Sequence, residues 1–110
     1  DTGAVNDDIE FSKRADAFMD QVFELLQDED PDELDADLAM GVLTIEFADG
    51  RKCILNRQVA AHQIWLAHGA EAWHFAADGE QWMDTKGRGE LRAVLSKVLS
   101  EKLGRPVPLG

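Results

Sequence analysis

Asp16, Asp20 and Glu24 recur at every fourth position, Asp28 continues the series, and Glu29, Asp30, Asp32, Glu33, Asp35 and Asp37 follow closely. On a helix this spacing stacks the carboxylates along one face, where each like-charged pair costs roughly 0.2–0.5 kcal/mol. Acids at the C-terminal end also oppose the helix dipole, by roughly 0.3–1 kcal/mol each at low salt. A sequence serving stability alone interleaves Lys or Arg; this one accepts the cost, so the stripe reads as a binding ridge rather than a merely solvated face. Its donors are hard oxygens without thiolate or imidazole neighbours. Such donors suit Mg²⁺, Ca²⁺, Mn²⁺ or iron, and a basic protein surface is their macromolecular equivalent. The calcium-loop template fails, although Asp28, Asp30 and Asp32 fall at its first, third and fifth positions. Glu33 stands where that loop needs Gly, and Ala39 where it needs a bidentate Glu. Open, weak sites are expected, with no closed cage.

Trp65 is the second candidate. In Gln63-Ile64-Trp65-Leu66-Ala67 strand alternation sends Ile64 and Leu66 to the core and Trp65 outward with Gln63. An exposed Trp on an open sheet face is a typical interface anchor, unless a neighbouring side chain or loop covers it; Trp73 and Trp82 read as core or its margin. His62, His68 and His74 lack ligand spacing among themselves and read as structural or solvated. Cys53, the only cysteine, excludes an internal disulfide and fits a reducing compartment. It reads as half-buried, with no cationic neighbour to make it a thiolate. No phosphate-cradling loop, nucleophile elbow or catalytic triad pattern occurs.

Two kinds of element must position these residues. Phe11, Ala15, Phe18, Val22 and Leu25/Leu26 repeat at helical spacing from about Ile9 to Leu26, with Asp7 or Asp8 as N-cap. A charged loop over 28–37 leads into a first edge strand. Strands follow over 42–47, 52–56, 63–67, 72–76 and 81–84, with hairpin turns at Asp49-Gly50 and Asp78-Gly79 and a polar connection at Asn56-Arg57-Gln58. Leu91, Val94, Leu95, Val98 and Leu99 form a second amphipathic helix, ended by Gly104 and Pro106, and the tail Val107-Pro108-Leu109 is expected to pack between the helices. The fold class is α+β: a two-layer α/β sandwich with two helices on one face of an antiparallel sheet of about six strands. Residues 1–8 read as a flexible N-terminal extension and 9–110 as one domain.

Charge is sharply segregated. The net charge is −11; residues 1–37 hold 14 acids against Lys13 and Arg14, while residues 38–110 hold 8 acids against 9 bases. The first third therefore repels nucleic acid and anionic membrane. No apolar run approaches the roughly 18 residues of a membrane span, and nothing near the start has a signal-peptide pattern.

Together these residues resemble the frataxin family, and its bacterial branch more closely. The resemblance is carried by Glu10-Phe11 with Ala15-Asp16, by Gly41-Val42-Leu43-Thr44-Ile45, by Asn56-Arg57-Gln58 followed by His62-Gln63-Ile64-Trp65-Leu66-Ala67, and by His74-Phe75 and Trp82. It implies a helix–sheet–helix sandwich and an accessory protein of iron–sulfur cluster assembly, not an enzyme. Iron would bind weakly through Asp16, Asp20, Glu24, Asp28, Glu29, Asp30, Asp32 and Glu33. Docking on a cysteine desulfurase and its scaffold protein would use Asp28, Asp30, Asp32, Asp35, Asp37, Asn56, Gln63 and Trp65. A monomer is expected, with iron-dependent oligomers as a variant, in the bacterial cytoplasm or, for a eukaryotic source, the mitochondrial matrix. The alternatives are an iron chaperone or store with ferroxidase-like behaviour, and a generic acidic interaction domain. Two departures matter: Ser12 stands where some bacterial members carry a histidine, making any site carboxylate-only, and Gln27 and Leu34 interrupt the ridge.

Overall fold

The computed structural model describes residues 2–109, with side chains from residue 6. Helix α1 (Thr2–Leu26) is followed by strands β1 (Leu34–Ala39), β2 (Val42–Phe47) and β3 (Lys52–Gln58), a short 3₁₀ turn (Val59–Ala61), strands β4 (Gln63–His68), β5 (Glu71–Asp78) and β6 (Gln81–Asp84), and helix α2 (Leu91–Leu103). The strands form one antiparallel sheet in chain order, β1 to β6. This is the expected two-layer α/β sandwich: six strands with two helices on one face.

Hydrophobic spacing accounts for the packing. Phe11, Ala15, Phe18, Met19, Val22 and Leu26 of α1 are buried, as are Leu91, Leu95 and Leu99 of α2. They meet the inward row of the sheet, which includes Leu43, Ile45, Leu55, Ile64, Leu66, Trp73, Phe75 and Trp82. Trp73 and Trp82 are core residues, as expected. Each side chain of Leu size enclosed here contributes roughly 1.5–3 kcal/mol. The tail joins the core through Val107 and Leu109, and Arg92 donates both to the Leu109 carbonyl and to Gln21 of α1, so the tail sits where the helices meet.

Helix ends and turns follow their local chemistry. Glu90 caps α2 by accepting from the Arg92 amide, and Gly104 ends it in a left-handed conformation (φ 71°). Met40 and Gly41, both with positive φ, make the two-residue turn between β1 and β2.

Several local expectations need correction. Helix α1 runs back to Thr2, so Asp7 and Asp8 lie within it and do not cap it. Leu25, counted in the apolar stripe, is exposed, because the stripe continues through Leu26 alone. Asn56-Arg57-Gln58 is the end of β3, paired residue for residue with Trp65, Ile64 and Gln63 of β4, and is not a connection. Leu34 is a buried residue opening β1, so Asp35 and Asp37 stand on a strand. Cys53 is fully buried.

Candidate functional site

The ridge is built in three stretches. Along α1, Asp20 and Glu24 are exposed and without hydrogen-bond partners among the described residues, while Asp16 accepts from Arg57 at 2.5 Å. In the loop after α1, Asp30 organises the turn: its carboxylate accepts from the Asp32 amide (2.9 Å), and its carbonyl accepts from the Glu33 and Leu34 amides. Arg105, on the tail, reaches back to Glu29 (2.9 Å) and Glu33 (3.3 Å) on either side of that turn, and the two carboxylates hold its guanidinium more strongly protonated than usual. Along β1, Asp35 and Asp37 lie opposite Glu46 and Thr44 of β2. Their alternation with the inward Leu34, Ala36 and Leu38 puts them on the sheet face that the helices leave open. The ridge therefore starts on α1, turns around the sheet edge and continues onto the open face.

On that face Asn56, Gln63 and Trp65 come together. Asn56 and Trp65 are directly opposite in neighbouring strands. The Trp65 indole Nε1 donates to Gln63 Oε1 at 2.8 Å. The His74 ring stacks on the Trp65 ring, with centroids 4.2 Å apart and planes 12° apart. Trp65 is consequently half-buried: it points outward as expected, and His74 covers one of its faces. Double anchoring by Gln63 and His74 fixes the ring before any partner arrives, which lowers the entropy cost of contact.

Donor chemistry and donor geometry differ along the ridge. The oxygens are of the kind a hard cation takes. Among the described residues, however, no three His, Cys, Asp or Glu side chains converge so as to hold a metal. Cys53 adds no ligand or nucleophile, since burial pushes its thiol up to about 12 and keeps it protonated.

Three residues of this region had no assigned partner at sequence level: Arg57, Arg105 and His74. For Arg57 a signal was present, because alternation from Cys53 and Leu55 points it to the helix side, where a charge needs a counter-ion. Arg105 carries no comparable signal. His62, read as structural or solvated, pairs with Asp8 at 2.6 Å and stacks on Phe11.

The sequence profile of the frataxin-like domain matches residues 4–105. The chain belongs to the frataxin-like family. Among its curated relatives, the iron–sulfur cluster assembly protein CyaY of Thioalkalivibrio sulfidiphilus is 41% identical over 105 residues, covering 93% of this chain and 98% of that one. The CyaY protein of Aeromonas hydrophila is 38% identical, covering 91% and 95%. Among solved structures, the bacterial frataxin of Psychromonas ingrahamii superposes with a TM-score of 0.86 at 28% identity over 94% of this chain and 97% of that one. A trimeric frataxin from Saccharomyces cerevisiae, complexed with ferrous iron, shares the fold, with a TM-score of 0.73 at 24% identity over 84% and 87% of the two chains. No helix among the described residues is long and apolar enough to cross a membrane.

Proposed function

We propose that this frataxin-like chain is an accessory protein of iron–sulfur cluster assembly that regulates the process by docking its acidic ridge on the cysteine desulfurase and scaffold complex. The observation that carries this reading is the continuity of the surface: free carboxylates run from Asp20 around the β1 edge to Asp35 and Asp37, on the face that also presents Trp65. A basic partner surface complements the first part, and Trp65, held by Gln63 and His74, supplies an apolar anchor three strands away on the same sheet face. The names of the CyaY relatives place those proteins in iron–sulfur cluster assembly, which supports the same role here.

Iron is cargo in this reading, held weakly by ridge carboxylates. The absence of a converging three-ligand group among the described residues favours regulation by docking over storage. The chain has no covalent step of its own to perform, and the buried Cys53 thiol fits that accessory role.

The test is binding of the purified desulfurase to Asp28→Lys/Asp30→Lys/Asp32→Lys and to Trp65→Ala, with cluster synthesis followed in parallel. The ridge variant is expected to bind about tenfold or more weakly, and wild-type binding to weaken with salt. Trp65→Ala is expected to keep the fold and lose modulation of the rate. Salt-insensitive binding that survives the triple reversal refutes ridge docking; a Trp65→Ala protein that modulates like wild type reduces Trp65 to packing.

A further inference from the structure

Met40 is 97% exposed, whereas the other exposed large apolar side chains among the described residues, Ile9 and Leu25, reach 48% and 40%. A single apolar residue on a surface needs no explanation of its own. Met40 differs because its backbone is unfavourable too. At φ 53° it is left-handed, a conformation that Gly and Asn adopt readily and a long side chain does not. Asn-Gly would make the same two-residue turn and expose nothing apolar. Resting on the docking reading above, we infer that Met40 is a second apolar anchor of the docking surface, received with Trp65 by one partner whose contact face has an apolar centre and a basic rim.

The sheet register sets the two residues side by side. The last β1–β2 pair before the turn is Ala39 with Val42, and Val42 opens a row that crosses the open sheet face through Asn56 and Trp65 to His74. Val42 and Trp65 are two strand spacings apart, roughly 10 Å, so a partner surface of ordinary size covers both the turn and the indole. From β2 to β5, neither that row nor the adjoining one, Thr44-Ile54-Ala67-Ala72, holds an Asp, Glu, Lys or Arg, in a chain that is 30% charged. Asp37, opposite Thr44, and Asp35 border this uncharged band on β1. An apolar centre with a charged border is the anatomy of a protein contact, and the border asks for basic groups opposite. The turn itself is clamped. The Arg57 amide donates to the Gly41 carbonyl at 3.0 Å, and its side chain fills the space where a Cβ on residue 41 would lie 2.8 Å from Nε. The same guanidinium reaches Asp16 of α1 at 2.5 Å, which ties the turn to both β3 and the helix layer. Freedom at the contact is thereby confined to the unbranched thioether, which adapts to an irregular apolar pocket.

Methyl NMR of ¹³C-methionine-labelled protein, titrated with unlabelled desulfurase, tests this assignment. The Met40 methyl and the Trp65 indole should respond at the same desulfurase concentration, with the fully buried Met19 as the unmoved control. Met40→Asn should raise the melting temperature by about 2–5 °C, because the turn gains a residue suited to it. The same variant should bind desulfurase roughly fivefold more weakly, whereas Met40→Leu, which keeps the apolar bulk, should stay within about twofold of wild type. A Met40 methyl that stays still while the Trp65 indole responds overturns the anchor and leaves the docking reading standing, as does a Met40→Asn protein that binds like wild type. Silence of both signals overturns the docking reading, and the anchor with it. A Met40 signal that moves with protein concentration alone assigns the side chain to a second copy of this chain and overturns the inference.

Discussion

Asp84 and Asp28 carry the same carboxylate in opposite surroundings. The Asp84 side chain is fully enclosed, accepts from the Arg88 amide (2.9 Å) and Nε (2.8 Å), and is held below the usual carboxylate range chiefly by the Arg88 side chain. Arg88 completes the corner by donating to the Ala72 carbonyl and lying over the Trp73 ring, so one ion pair fixes the entry into α2 against β5. Asp28 is exposed, follows a helix whose dipole it opposes, and its side chain has no partner among the described residues. The fold spends one carboxylate on its own integrity and leaves the other free. Structure and function can therefore be damaged separately.

The sharpest way to break the contrast is to remove each acid in turn. Asp84→Ala leaves Arg88 without its buried partner and is expected to cost about 2–4 kcal/mol in urea unfolding, with desulfurase affinity of the folded protein intact. The opposite pattern, unchanged stability with lost binding, would erase the distinction. Acid should act through the same corner. A depressed folded-state pKa means that the stabilisation is present above the unfolded value of about 4 and is lost as pH falls through the folded one. Asp49, lowered first by the Lys102 hydrogen bond, has the same sign. Thermal unfolding between pH 6 and pH 3 should show this loss in wild type and less of it in Asp84→Asn.

Asp28→Lys, by contrast, should leave stability unchanged or raise it by about 0.3–1 kcal/mol, since it replaces an anion with a cation at a helix C-terminus. The same variant should weaken docking; a destabilised Asp28→Lys protein would mean that Asp28 has a structural partner. The smallest effect is expected from salt. Screening of the crowded ridge should raise the melting temperature of wild type slightly, and of the Asp28→Lys/Asp30→Lys/Asp32→Lys protein less.

How far the sequence discloses this arrangement depends on how local each cause is. Phe11, Ala15, Phe18, Val22 and Leu26 reveal their helix face through spacing alone, and Leu43, Ile45 and Phe47 reveal their sheet face through alternation. Trp65 could be pointed outward for the same reason. Pairings set by tertiary packing leave no local pattern: Arg57 and Asp16 are 41 residues apart, and Arg105 and Glu29 are 76 apart. Leu34 looked like a gap in the ridge because its acidic neighbours masked the start of an inward row. Asn56-Arg57-Gln58 looked like a connection because three polar residues resemble a loop, although two of them face solvent and the third faces a carboxylate. Cys53 was assigned too little burial because one strand's alternation does not reveal that two helices seal the layer above it.

Strand β1 closes the sheet on one side, with its outer backbone groups unpaired by any other strand among the described residues. Such an edge invites a second copy to add its own strand. Asp35 and Asp37 stand on this edge in every copy, so two β1 strands approaching each other bring four negative charges together. The acidic ridge is thereby also a guard against self-pairing, and whatever neutralises it relaxes that guard. Saturating Mn²⁺ should accordingly increase light scattering from concentrated protein, and Asp35→Asn/Asp37→Asn should do so without metal.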